Sequence, residues 1–130
     1  MNIDYGARIR AFCDHLETVD EHRFKYTWSP LVAREKGLGI GCPLYHGIEG
    51  GVIPESKATF CREFDDEAVQ WLGFDRFEGI FCDLVNVTSQ KEKSISNLRA
   101  YADKHYPIVT QHHTGIPSSV LQIFKEAVAA

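Results

Sequence analysis

The chain has 130 residues and a mass of 14.7 kDa, with 14 Lys and Arg against 18 Asp and Glu, a formal net charge of −4. At 44% apolar, 12% aromatic and 25% charged residues, this is one globular domain's worth of ordinary composition. It excludes a disordered, collagen-like or disulfide-framework chain.

In chain order, Tyr5, Ile9, Phe12, Leu16 and Val19 fall on one helical stripe, with Asp4 placed to cap its start and an end expected near Thr18. Phe24, Tyr26 and Trp28 alternate, which reads as a loop laying aromatics on the core or, alternatively, as a short strand. Ser29-Pro30 opens a helix of one or two turns that Gly37 stops. Residues 37–51 hold six of the ten glycines, a density that argues against any stable helix. The apolar Leu38, Ile40, Leu44, Tyr45 and Ile48 in it predict an ordered loop pinned to the body.

Short helical units follow: one capped by Ser56 with Phe60, Cys61 and Phe64, and a second capped by Asp65 with Val69, Trp71 and Leu72, stopped at Gly73. Asp75-Arg76-Phe77-Glu78 has a capping-box pattern for a third, carrying Phe77, Ile80 and Phe81 inward. Ser89-Gln90-Lys91-Glu92 opens a helix with Ile95, Leu98 and Ala102 inside and Tyr101 beside them, ended by Pro107. Residues 107–110 read as a possible strand, 111–115 as a polar loop, and Pro117-Ser118 as the start of a last helix carrying Leu121, Phe124 and Val128. The expected fold is therefore mainly α, a compact single domain over residues 1–130 of five to seven short helices with an ordered Gly-rich loop. An α+β fold with a two-stranded element from residues 24–28 and 107–110 is the alternative.

Trp28-Ser29-Pro30, the run Gly37-Leu38-Gly39-Ile40-Gly41-Cys42-Pro43-Leu44-Tyr45-His46-Gly47, and then Glu67-Ala68 followed by Trp71-Leu72-Gly73-Phe74 cover about a third of the chain. Taken in that order they resemble a group of small helical proteins of unassigned function from bacteria and their phages. The resemblance implies a helical cytosolic protein of mobile-element origin, and brings no activity or site residue with it.

Charge narrows the function classes. Residues 1–65 carry 8 basic and 10 acidic side chains and residues 66–130 carry 6 and 8, so neither half is a basic arm. The densest basic stretch, Lys91 to Lys104, nets +2, which disfavours nucleic-acid binding by phosphate neutralisation. Glu55 to Asp83 holds eight acids against three bases. A basic partner's docking face or a nucleic-acid mimic has this look, although solvated helix faces and capping acids explain it more simply. No apolar run approaches the ~18 residues of a membrane span. Met1-Asn2-Ile3-Asp4 lacks the basic and apolar regions of a signal peptide, so a cytoplasmic location is expected. Cys13, Cys42, Cys61 and Cys82 are too dispersed for a CxxC pair and should be thiols there.

The sharpest chemical constellation is Cys42 and His46 with His112 and His113. A cysteine–histidine hydrolase needs a thiolate, an imidazole within reach and backbone donors for an oxyanion, and these residues supply the types required. The Cys42-Pro43 bond counts against it, since the residue before proline is extended and so removed from a helix N-terminus. The same four residues are ligand types that zinc prefers, but only Cys42-x-x-x-His46 approaches a ligand spacing, and the adjacent histidines point apart in an extended loop. Tyr26, Trp28, Tyr45, Tyr101 and Tyr106 are candidates for a recognition surface. By elimination the expectation is a small cytoplasmic interaction or regulatory protein that acts through protein–protein contacts without a cofactor. The alternatives are a hydrolase using Cys42 and a zinc-binding protein.

Overall fold

Asp4, Pro30, Gly37 and Pro107 punctuate the chain where backbone chemistry demands, and the helices begin and end around them. The computed structural model describes residues 3–108, so the last helix expected over 117–128, residues 109–110 of the possible strand, and His112 and His113 lie outside the described residues. Among the described residues there are six helices: α1 Tyr5–Glu17, α2 Pro30–Lys36, α3 Pro43–Glu49, α4 Cys61–Trp71, α5 Phe77–Asn86 and α6 Lys91–His105. The chain is mainly α and compact. A 3₁₀ turn, Glu21–Arg23, follows α1.

Asp4 caps α1 as expected, its carboxylate accepting from the Ala7 N–H at 2.9 Å. The stripe Ile9, Phe12, Cys13 and Leu16 is fully buried. In α2 Pro30 takes the first position and Gly37 closes the helix in the left-handed conformation. In α6 Ile95, Leu98 and Ala102 face inward and the helix stops at His105, ahead of Pro107. α1 packs along α6 and over α3, α2 lies against α3 and α4, and α5 joins α4 to α6.

The Gly-rich segment departs from expectation. It is ordered and pinned, but residues 43–49 form α3, and every residue from Gly41 to Ile48 is buried. Proline at the first helical position pre-sets its entry. Gly47 lets α1 approach: a Cβ there would sit 2.6 Å from Cε1 of Phe12 and 2.8 Å from Cδ1 of Ile53. The glycines that argue against a free helix are here what lets a buried one pack.

Residues 24–28 form a loop, as favoured. Phe24 makes one isolated parallel bridge, with Gly41, and no strand occurs among the described residues. The two units expected over 56–64 and 65–73 are one continuous helix, α4. Ser56 does not cap it, bonding instead to Glu67 and to the Ala58 N–H. Its end is as predicted: the Phe74 N–H reaches the Val69 carbonyl and the Gly73 N–H that of Gln70, the paired bonds of a glycine-terminated helix.

Neither expected capping box forms. At α5 the Phe77 N–H is held at 2.8 Å by Asp66 of α4, and Glu78 turns to Arg62. Glu78 is extended and Gly79 has φ 151°, a conformation essentially reserved for glycine, so the helical coil proper begins after this kink. Ser89 has φ 50° and donates to the Asn86 carbonyl, leaving Gln90 at the N-cap of α6.

Candidate functional site

Cys42 is the N-cap of α3 with φ −73° and ψ 170°. It is thus both extended, as a residue before proline must be, and at a helix N-terminus; the two are compatible because an N-cap is itself non-helical. The expectation that Pro43 keeps Cys42 from a helix start is overturned. The helix start does not activate the thiol, however. Cys42 is only 2% exposed, and burial pushes its pKa up to about 12 against the smaller downward pull of the Tyr45 and Leu44 backbone N–H groups. Burial thus favours the neutral thiol over the thiolate that a nucleophile requires.

His46 lies one turn further on, 3% exposed. Its Nε2 is 2.7 Å from the Arg23 carbonyl oxygen, and since a carbonyl only accepts, Nε2 carries the proton. The same oxygen accepts the Gly41 N–H at 3.1 Å. The ring packs 4.8 Å from that of Phe24 and 5.0 Å from that of Tyr45, and burial holds its pKa below the usual histidine value. The imidazole is a neutral pin between α3 and the 3₁₀ turn. No hydrogen bond joins it to Cys42. With His112 and His113 outside the described residues, the four-residue constellation is represented by this closed pair. Among the described residues no three His, Cys, Asp or Glu side chains come together as metal ligands.

The other thiols differ in exposure. Cys13 is buried, its pKa raised to about 12 by burial, and its Sγ lies 3.8 Å from the Ile95 carbonyl. Cys82 is half-buried and Cys61 is exposed beside the Ser29 hydroxyl.

The five candidate recognition aromatics do not form one surface. Tyr45 is in the core. Tyr26 is half-buried, its hydroxyl 3.2 Å from that of Ser94, and the Lys25 and Lys36 ammonium groups lie 5.2 and 5.5 Å from the centre of the Trp28 ring. Tyr101 and Tyr106 belong to a separate cluster, with Tyr5 6.0 Å from Tyr106 and Phe74 4.9 Å from Tyr101.

In the acidic stretch Glu55, Glu63, Glu67, Asp75, Glu78 and Asp83 are all exposed, and the same stretch exposes Phe60, at 69%, and Ile80, at 56%. Asp65 differs from its neighbours. It sits inside α4, not at a cap, on the buried stripe of Phe64, Ala68 and Val69, and its Oδ1 has no hydrogen-bond partner. Burial, with a smaller contribution from the adjacent Asp66 charge, raises its pKa to about 7. Asp65 lines a cleft of about 190 Å³ between α4 and the entrance of α5, together with Arg62, Asp66, Phe77 and Glu78.

Reading Asp65 as a cap concealed this site. A helix begun at Cys61 would have placed Asp65 on the inner stripe, because positions 61, 64, 65, 68, 69 and 72 share one face.

No helix among the described residues is long and apolar enough to cross a membrane. Comparison of the chain with protein-family models, with curated proteins and with solved structures gives no match.

Proposed function

We propose that the protein acts through protein–protein contacts, setting the acidic face of α4 and α5 against a basic surface of another protein. One observation carries the reading: the segment from Glu55 to Asp83, eight acids against three bases, puts six carboxylates at the surface and exposes Phe60 and Ile80. Docking surfaces combine such apolar anchors with a polar rim, and charge of one sign steers a partner of the other. Glu55 pairs with Arg34 and Glu78 with Arg62, whereas Glu63, Asp75 and Asp83 have no cation within pairing distance among the described residues.

The hydrolase reading is less favoured because Cys42 and His46 are both buried and His46 is already engaged. We further place the protein in the cytoplasm, where its thiols would stay reduced, as an inhibitor or regulator that covers its partner's basic surface. The resemblance to small helical proteins of bacteria and their phages supports a mobile-element origin.

The test is affinity purification from the cells that make the protein, comparing the wild-type chain with a Glu63→Gln, Glu67→Gln, Asp83→Asn variant. A basic protein retained by the first and lost from the second is expected. Equal retention by both would refute the assignment of the face.

A further inference from the structure

We propose that the cleft between α4 and the entrance of α5 is the seat of one arginine side chain from the basic partner, with the Asp65 carboxylate as its counter-ion. The inference rests on the docking role just given and specifies its central contact.

Each carboxylate in the cleft but one has a partner. Asp66 accepts the Phe77 N–H at 2.8 Å, and Glu78 accepts from Arg62 at 2.9 Å. Asp65 is 6% exposed, lines the cleft, and has an oxygen without any hydrogen bond. A buried polar atom left unpaired is costly, more so when charged, and because Oδ1 is itself closed from solvent, a donor entering the cleft pairs with it once the carboxylate turns toward the opening. Three carboxyl groups line the cleft and Arg62 is its one cation. Arg62 is tied to Glu78, and that pair is largely solvent-exposed, at 76% and 70% of their side chains. The cleft thus lacks a second cation.

Its shape selects the kind. The volume of about 190 Å³ takes a planar group with part of its stem, and Phe77 is part of its lining. A guanidinium offers forked donors to a carboxylate and a flat face to an aromatic ring, whereas an ammonium offers a point charge that holds its water more tightly. A divalent metal fits less well, since no three ligands converge there. An arginine set between a buried carboxylate and an aromatic residue has the anatomy of an interface hot spot.

The probe is a terminally blocked tetra-arginine peptide, with tetra-lysine as control, titrated into the isotope-labelled full chain and followed by amide shifts. Shifts centred on Arg62, Asp65, Asp66 and Phe77 to Gly79 are expected, with arginine preferred over lysine. Asp65→Asn should weaken the arginine peptide by about tenfold or more while leaving the fold intact by circular dichroism, and Phe77→Leu, which keeps apolar volume but removes the ring, should erase the arginine preference. Peptide binding that Asp65→Asn leaves unchanged but Glu63→Gln with Glu67→Gln weakens would overturn the cleft and keep the acidic face. Absence of binding to the wild-type chain would overturn both, and calcium ions alone reproducing the shifts would replace the arginine with a metal.

Discussion

Replacing Asp65 with Asn should stabilise the protein at mildly alkaline pH and not at acid pH. Asp65 has an ordinary pKa of 3.8 in the unfolded chain and about 7 in the fold, because its carboxylate is buried without a donor. A carboxyl whose folded pKa is raised binds its proton more tightly when native. Its favourable contribution is complete below pH 3.8 and is lost as pH rises through 7. The difference of about 3 units, at 1.36 kcal/mol each, makes ionised Asp65 a liability of about 4 kcal/mol by about pH 8, against a typical domain stability of 5–15 kcal/mol. Asn keeps the size and removes the titration, so the gap in unfolding free energy between variant and wild type should widen by about that amount between about pH 4 and pH 8. Urea unfolding of both proteins, followed by the fluorescence of Trp28 and Trp71 across this range, measures the gap directly. Subtracting the two curves removes every other titrating group, His46 among them. Parallel curves would show that Asp65 titrates like a solvated acid, and both its burial and the need for an incoming cation would then be wrong.

His46 has the opposite sign: its folded pKa lies below 6.5, so its contribution is present above that pH and lost as pH falls further, and His46→Gln should flatten the acid limb of the stability profile. With a thiol-reactive dye in native buffer, Cys61 should label first and Cys42 and Cys13 only on unfolding; fast labelling of Cys42 would reopen the hydrolase reading. Gly47→Ala should destabilise by about 1–3 kcal/mol in thermal unfolding, because the clash with Phe12 outweighs the roughly 1 kcal/mol that alanine otherwise contributes to a helix. Gly79→Ala should likewise cost about 1–3 kcal/mol, although only the Arg76 Nε lies within 4 Å of the new Cβ, because alanine cannot adopt φ 151° without strain.

Wherever one residue's own chemistry decides the local backbone, the sequence alone was sufficient. Asp4 accepting a free N–H, Pro30 fitting a first turn, Gly37 and Gly73 adopting left-handed closures, and the 3.6-residue stripes of α1 and α6 are properties of a few neighbouring residues, and they define four helix ends and much of the core. The absence of a CxxC spacing was legible in the same way.

Three features needed the tertiary structure. α3 is seven residues long, below the length at which a helix holds itself together in water, and exists because Phe12, Ile53 and Phe24 surround it. The run Asp65-Asp66-Glu67 is ambiguous between a cap and a helix interior, and the packing of Phe64, Ala68 and Val69 drew Asp65 inward at the cost of its charge. The kink at Gly79 brings Glu78 to Arg62 and Phe77 to Asp66, a pairing across eleven or more residues that no local preference encodes. Burial and partnership depend on what the rest of the chain places opposite a side chain, and that is why the closed state of Cys42 and the open need of Asp65 became visible only in the fold.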